Sequence, residues 1–95
     1  MLSISEISKI VSDMANEYDI KRIMLFGSYA EGRNTPDSDI DLLVEFNTDA
    51  VSLLTLNSLR YRLEEFLKVD VDIIHGPLEE GALIVPERLV EIYAA

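Results

Sequence analysis

Gly27-Ser28-Tyr29-Ala30-Glu31-Gly32-Arg33-Asn34-Thr35-Pro36-Asp37-Ser38-Asp39-Ile40-Asp41-Leu42-Leu43-Val44 is the stretch on which the reading of this chain turns. It joins two apolar runs. Upstream, the compact run Ile23-Met24-Leu25-Phe26 predicts a strand over Ile20 to Phe26, ended by Gly27-Ser28. Downstream, Ile40 to Phe46 reads as a second strand, apolar on both faces and therefore buried. Gly32, Asn34, Thr35, Pro36 and Asp37 are turn-forming types and predict a loop between the strands. Asp39 and Asp41 stand two apart at a strand start, so their side chains leave one face with Cα atoms roughly 7 Å apart. Two like charges that close repel unless a cation lies between them. Magnesium suits the position, because it takes oxygen ligands and is commonly held by one or two carboxylates together with substrate phosphates. Gly27 permits close backbone approach, its turn offers N–H groups to an anion, and the Ser28 hydroxyl adds a donor. A phosphate nest beside a carboxylate pair is what transfer from a nucleoside triphosphate requires.

Working outward, Ile4, Ile7, Ile10, Val11, Met14 and Tyr18 recur at helical spacing. Ser3 and Glu6 form a capping box before them, which predicts a helix from about Ser3 to Glu17. A second helical stripe, Leu56, Leu59, Leu63, Phe66 and Leu67, predicts a helix over Val51 to Leu67. Val69 to Ile74 reads as a third strand, stopped by His75-Gly76-Pro77. Asp70 and Asp72 share a face of it. Asp72 is the preferred third carboxylate, because Val71, Ile73 and Ile74 place it inside the strand, where a charge needs a reason. Leu78 to Ala95 is expected to form one or two short helices broken near Pro86. The expected fold is α/β (α+β): two layers, a short mixed β-sheet with helices packed mainly on one face, forming a single domain over residues 1–95.

Bulk properties narrow the function classes. The chain has 95 residues, 48% of them hydrophobic, enough for one core without staples. It has no cysteine, which excludes disulfides and thiolate metal sites and suits a reducing cytoplasm. No signal peptide and no membrane span are expected. The net charge of -10 argues against unaided nucleic-acid binding, which needs a basic footprint. It is compatible with a magnesium site or a basic protein partner.

Gly27-Ser28, ten residues, then Asp39-Ile40-Asp41, with a later strand aspartate, resembles the signature of the DNA polymerase β nucleotidyltransferase superfamily. The short length resembles its minimal nucleotidyltransferase branch. The resemblance implies that Asp39 and Asp41 hold two magnesium ions, and that Asp72 shares one of them and orients or deprotonates the attacking hydroxyl. It implies that Gly27 and Ser28 grip the triphosphate, with ATP as the AMP donor. Arg33 is a candidate phosphate ligand, since guanidinium suits phosphate. Ser38 belongs to the matched motif and is expected to shape the approach to Asp39 among the nucleotide-binding residues. Tyr29 is expected to pack in the loop or touch the adenine, and His75 stands near enough to the third strand's end to reach the site. One residue departs from the family: the position after Ala30 is often basic, and here it is Glu31, with Arg33 two places on. By the same resemblance, minimal nucleotidyltransferases pair with HEPN-domain ribonuclease toxins as antitoxins that AMPylate a tyrosine of the toxin, so a hetero-oligomer or homo-oligomer is expected. Two other readings stand beside this one. In the first the chain neutralises its partner by binding alone. In the second it adenylylates a small-molecule or nucleic-acid hydroxyl.

Overall fold

Ser3 starts the first helix as its sequence predicts. Its hydroxyl accepts from the Glu6 N–H at 3.1 Å, and the Glu6 carboxylate accepts from the Ser3 N–H at 3.0 Å. This computed structural model describes residues 2–48, 50–76 and 88–95. Helix α1 covers Ile4–Ala15 and buries Ile7, Val11, Met14 and Ala15. Strand β1 is Ile20–Phe26, the short helix α2 is Gly27–Glu31, and strand β2 is Ile40–Phe46. Helix α3 is Leu53–Leu67, capped by the Ser52 hydroxyl, and strands β3 and β4 are Val71–His75 and Val90–Ala94.

The sheet order is β3-β2-β1-β4. β1 pairs antiparallel with both β2 and β4, while β2 and β3 run parallel. The parallel pair follows from α3, which is the crossover a parallel connection needs. Strand alternation sorts β2 into two sets. Ile40, Leu42, Val44 and Phe46 join Leu59, Leu63 and Leu67 of α3 and the α1 stripe in one core. Asp41, Leu43 and Glu45 leave the opposite face. The expected mixed sheet with helices mainly on one face is the observed one.

Three expectations need correction. The segment from Gly27 to Glu31, read as loop, is a short helix closed by Gly32 at φ 71°. Phe66, read as part of the α3 core stripe, is largely exposed. The C-terminal residues Val90–Ala94, read as helical, form a fourth strand; residues 77–87, including Pro86 and the apolar Leu83, Ile84 and Val85, lie outside the described residues. Val90-Glu91-Ile92-Tyr93 is short, β-branched and aromatic, a composition that fits a strand once a partner edge is offered. The apolar edge of β1 offers it, and Ile92 is buried in the core against α1, where Ser8 donates to its carbonyl at 2.8 Å.

Candidate active site

The end of β1 and the start of β2 meet at one point. Phe26 is the cross-strand partner of Asp41, and the chain then turns sharply through Gly27 at φ 74°. The Asp41 carboxylate packs against this glycine so closely that a Cβ there would overlap its Oδ2. Glycine is therefore required twice, by the left-handed backbone and by the approach of the carboxylate. The turn leads straight into α2, whose first-turn N–H groups, at Gly27 and Ser28, have no acceptor within the helix.

β3 brings the third carboxylate. Asp41 and Asp72 are register partners across the parallel β2–β3 pair, and both leave the face opposite the helices. Asp72 is exposed, so burial does not distinguish it from Asp70. Register does: Asp72 stands beside Asp41, while Asp70 lies before β3, its carbonyl accepting from the Ile40 N–H at 2.9 Å. Half-buried Asp41 has its carboxyl held above the usual carboxylate range, first by burial and then by the charges of Asp72 and Asp39. The charges of Asp72 and Asp39 thus both reach Asp41. Asp39, exposed just before β2, also borders a hollow of about 280 Å³ with Ser38, Lys68 and Asp70.

The remaining sequence candidates divide. Ser38 fixes the turn before Asp39: its hydroxyl accepts from the Thr35 N–H at 2.8 Å, and its own N–H donates to the Thr35 carbonyl at 3.0 Å. Arg33 donates to the Glu31 carboxylate at 2.7 Å, so the acidic residue after Ala30 and the nearest arginine form an ion pair. Tyr29 is buried in the core, which is packing. His75 is not brought in. Strand alternation turns it away from Asp72, and its ring meets Phe46 edge-on at 5.5 Å.

Sequence reasoning missed the wall that faces these carboxylates. A cleft of about 520 Å³ is lined by Phe26, Asp41 and Asp72 and by Leu53, Leu56 and Arg60 of α3. The signal was present as spacing, since positions 53, 56, 57 and 60 share one helix face.

The nucleotidyltransferase domain family profile matches residues 4–92. The chain belongs to that family. A Methanocaldococcus jannaschii protein, MJ0435, provisionally named a protein adenylyltransferase, is 41% identical over 73 residues, 77% of each chain. The protein adenylyltransferase MntA of Thermococcus cleftensis is 35% identical over 78 residues, again 78% of each. A crystal structure of a toxin–antitoxin with AMP-PNP superposes with a TM-score of 0.65 at 27% identity, covering 72% of this chain and 56% of that one.

Among the described residues, no three acidic or histidine groups converge closely enough to form a ready-made metal cage. Asp39, Asp41 and Asp72 nevertheless fit magnesium in kind. They are hard oxygen donors, their mutual repulsion would be relieved by a cation, and magnesium usually completes its shell with water and substrate phosphates. No helix among the described residues is long and apolar enough to cross a membrane.

Proposed function

We propose that this nucleotidyltransferase transfers AMP from Mg-ATP to a hydroxyl of a protein, a tyrosine of a HEPN-domain toxin, and so acts as an antitoxin. The observation that carries the reading is the Asp41 carboxylate, seated on Gly27 and opposed in register by Asp72. Gly27, Asp41 and Asp72 thus stand on three adjoining strand ends, which supports reading them as a phosphate-binding turn, a metal ligand and a proton acceptor. The relatives support the acceptor class, being named for protein adenylylation, and the toxin–antitoxin structure carries an ATP analogue.

In this reading Asp39, Asp41 and Asp72 would hold magnesium, two ions in all, which would supply charge neutralisation for the transfer. Gly27 and Ser28 hold the β- and γ-phosphates, and Arg33 and Ser38 border the nucleotide. Asp72 takes the proton of the acceptor hydroxyl as its oxygen bonds to the α-phosphorus. The bond from the α-phosphorus to the β-phosphate oxygen breaks and pyrophosphate leaves.

The test is titration of Mg-ATP into wild-type and Asp39→Asn/Asp41→Asn protein, followed by mass spectrometry of the cognate HEPN partner. Binding that collapses in the variant, together with an AMP increment on a partner tyrosine that needs wild-type protein, is expected. Absence of any AMP on the partner would sink the reading.

The Glu31–Arg33 ion pair favours a second reading, in which the chain neutralises its partner by binding alone, because it cancels a positive charge near the triphosphate turn. Full neutralisation of the toxin by Asp41→Asn protein would decide for that alternative.

A further inference from the structure

We infer that Arg60 of α3 is a ligand of the nucleotide's phosphate chain. This rests on the functional reading above, in its binding of Mg-ATP, and adds to it a cation that lies outside the sequence motif.

Cations are scarce in this chain, 8 against 18 acidic residues, and the fold commits most of its arginines to carboxylates. Arg22 holds Glu45, Arg33 holds Glu31 and Arg62 holds Glu17. Arg60 is half-buried and, among the described residues, pairs with no carboxylate, although Asp41 and Asp72 line the same cleft of about 520 Å³. Its guanidinium lies instead over the Tyr61 ring, 5.0 Å from the centroid. That contact steadies the charge through the ring face and leaves the N–H donors available to a ligand.

Carboxylates and a guanidinium that share a cleft without meeting leave room between them for one kind of group. It must present positive charge to the acids and negative charge to the arginine, and a metal-bound phosphate does both. The cleft also reaches Phe26, the residue before the Gly27 turn, so it adjoins the turn read as the phosphate seat. Its walls include Leu53, Leu56, Ile73 and Ile74, and apolar walls strengthen the attraction between charges held among them. Arg33, the arginine that the loop offers to phosphate, has its charge cancelled by Glu31. The phosphate-binding cation therefore comes from α3, where a guanidinium can meet phosphate oxygens with two donors at once.

The test is calorimetric titration of Mg-ATP, and separately of Mg-tripolyphosphate, into wild type, Arg60→Ala and Arg60→Lys. Arg60 makes no hydrogen bond among the described residues, so both variants should keep the wild-type unfolding temperature. Arg60→Ala is expected to raise the dissociation constant of ATP by about tenfold or more, the usual scale of a lost charged hydrogen bond, and that of tripolyphosphate by a similar factor. Arg60→Lys, which keeps the charge, should recover part of the loss. An unchanged ATP dissociation constant in Arg60→Ala overturns the proposal. So does a loss for ATP with none for tripolyphosphate, which would put Arg60 on the nucleoside, and so does an effect confined to the partner KM, which would give Arg60 to the acceptor. A folded wild type that binds no Mg-ATP sinks this proposal and the functional reading together. Wild type that binds Mg-ATP but moves no AMP to the partner sinks the transfer reading alone, and the Arg60 comparison still decides this one.

Discussion

Glu45 and Asp41 leave the same face of β2, four residues apart, and the fold treats them in opposite ways. Glu45 is 6% exposed and accepts from Nε of Arg22, its cross-strand partner, at 2.7 Å. Asp41 is half-buried against Gly27, and the groups acting on it are the like charges of Asp72 and Asp39, which with burial raise its pKa. One end of the face is finished as a structural ion pair. The other gathers like charges around Asp41 with no cation of the described residues paired to it.

The strongest way to break this contrast is to disturb the seat of Asp41. Gly27→Ala places a Cβ on the carboxylate and forces an L side chain into the left-handed region, at a backbone cost of about 1–2 kcal/mol. The catalytic loss should be larger, on the order of 100-fold in AMP transfer, because Asp41 must move from its position. Transfer assays on folded variant protein check this; activity within threefold of wild type would mean that the Gly27–Asp41 contact is only packing.

Next in size is the opposite end. Glu45→Ala leaves the Arg22 guanidinium without its buried acceptor and should destabilise the fold by about 1–3 kcal/mol. Thermal unfolding reads this directly. Mg-ATP affinity should stay within about twofold, since the two ends are separate charge systems. A parallel loss of affinity would show that the face behaves as one network.

The two ends were also unequally legible in the sequence. The Asp41 end could be read because β1 and β2 are apolar runs bounded by residues with strong local meaning, Gly27 on one side and Asp39 on the other. Both strands fall where the sequence places them. Asp72 was preferred to Asp70 for burial, which it lacks; the parallel register, a tertiary fact, is what stands it beside Asp41. Arg22–Glu45 was missed because antiparallel pairing of β1 with β2 had to be known before the two residues could face each other. The C-terminal strand failed for the same reason. Val90-Glu91-Ile92-Tyr93 is ambiguous by itself, and the free edge of β1 decides it. The α3 wall was missed because Leu56 reads only as part of the core stripe and Leu53 falls outside it until α3 is seen leaning on β3 beside the carboxylates.

The smallest expected effect is the most discriminating. Asp41 has a folded-state pKa above its ordinary value of 3.8, so ionisation favours the unfolded chain. Below that ordinary value both states are protonated and no penalty exists. As pH rises through the ordinary value and then the raised one, the penalty grows, and above the raised value it is constant. Asp41→Asn should therefore be slightly more stable than wild type at pH 7, the gain kept small by solvent screening of a half-exposed group. The gap should close as pH falls below about 4, in the ordinary carboxylate range. Urea unfolding at both pH values measures it. Saturating Mg-ATP should then reverse the order at pH 7, because ligand binding stabilises the wild type and the variant has lost the charge that holds the ligand. A variant less stable than wild type at pH 7 without ligand would mean that Asp41 is held by favourable contacts, like Glu45, and the contrast between the two ends would disappear.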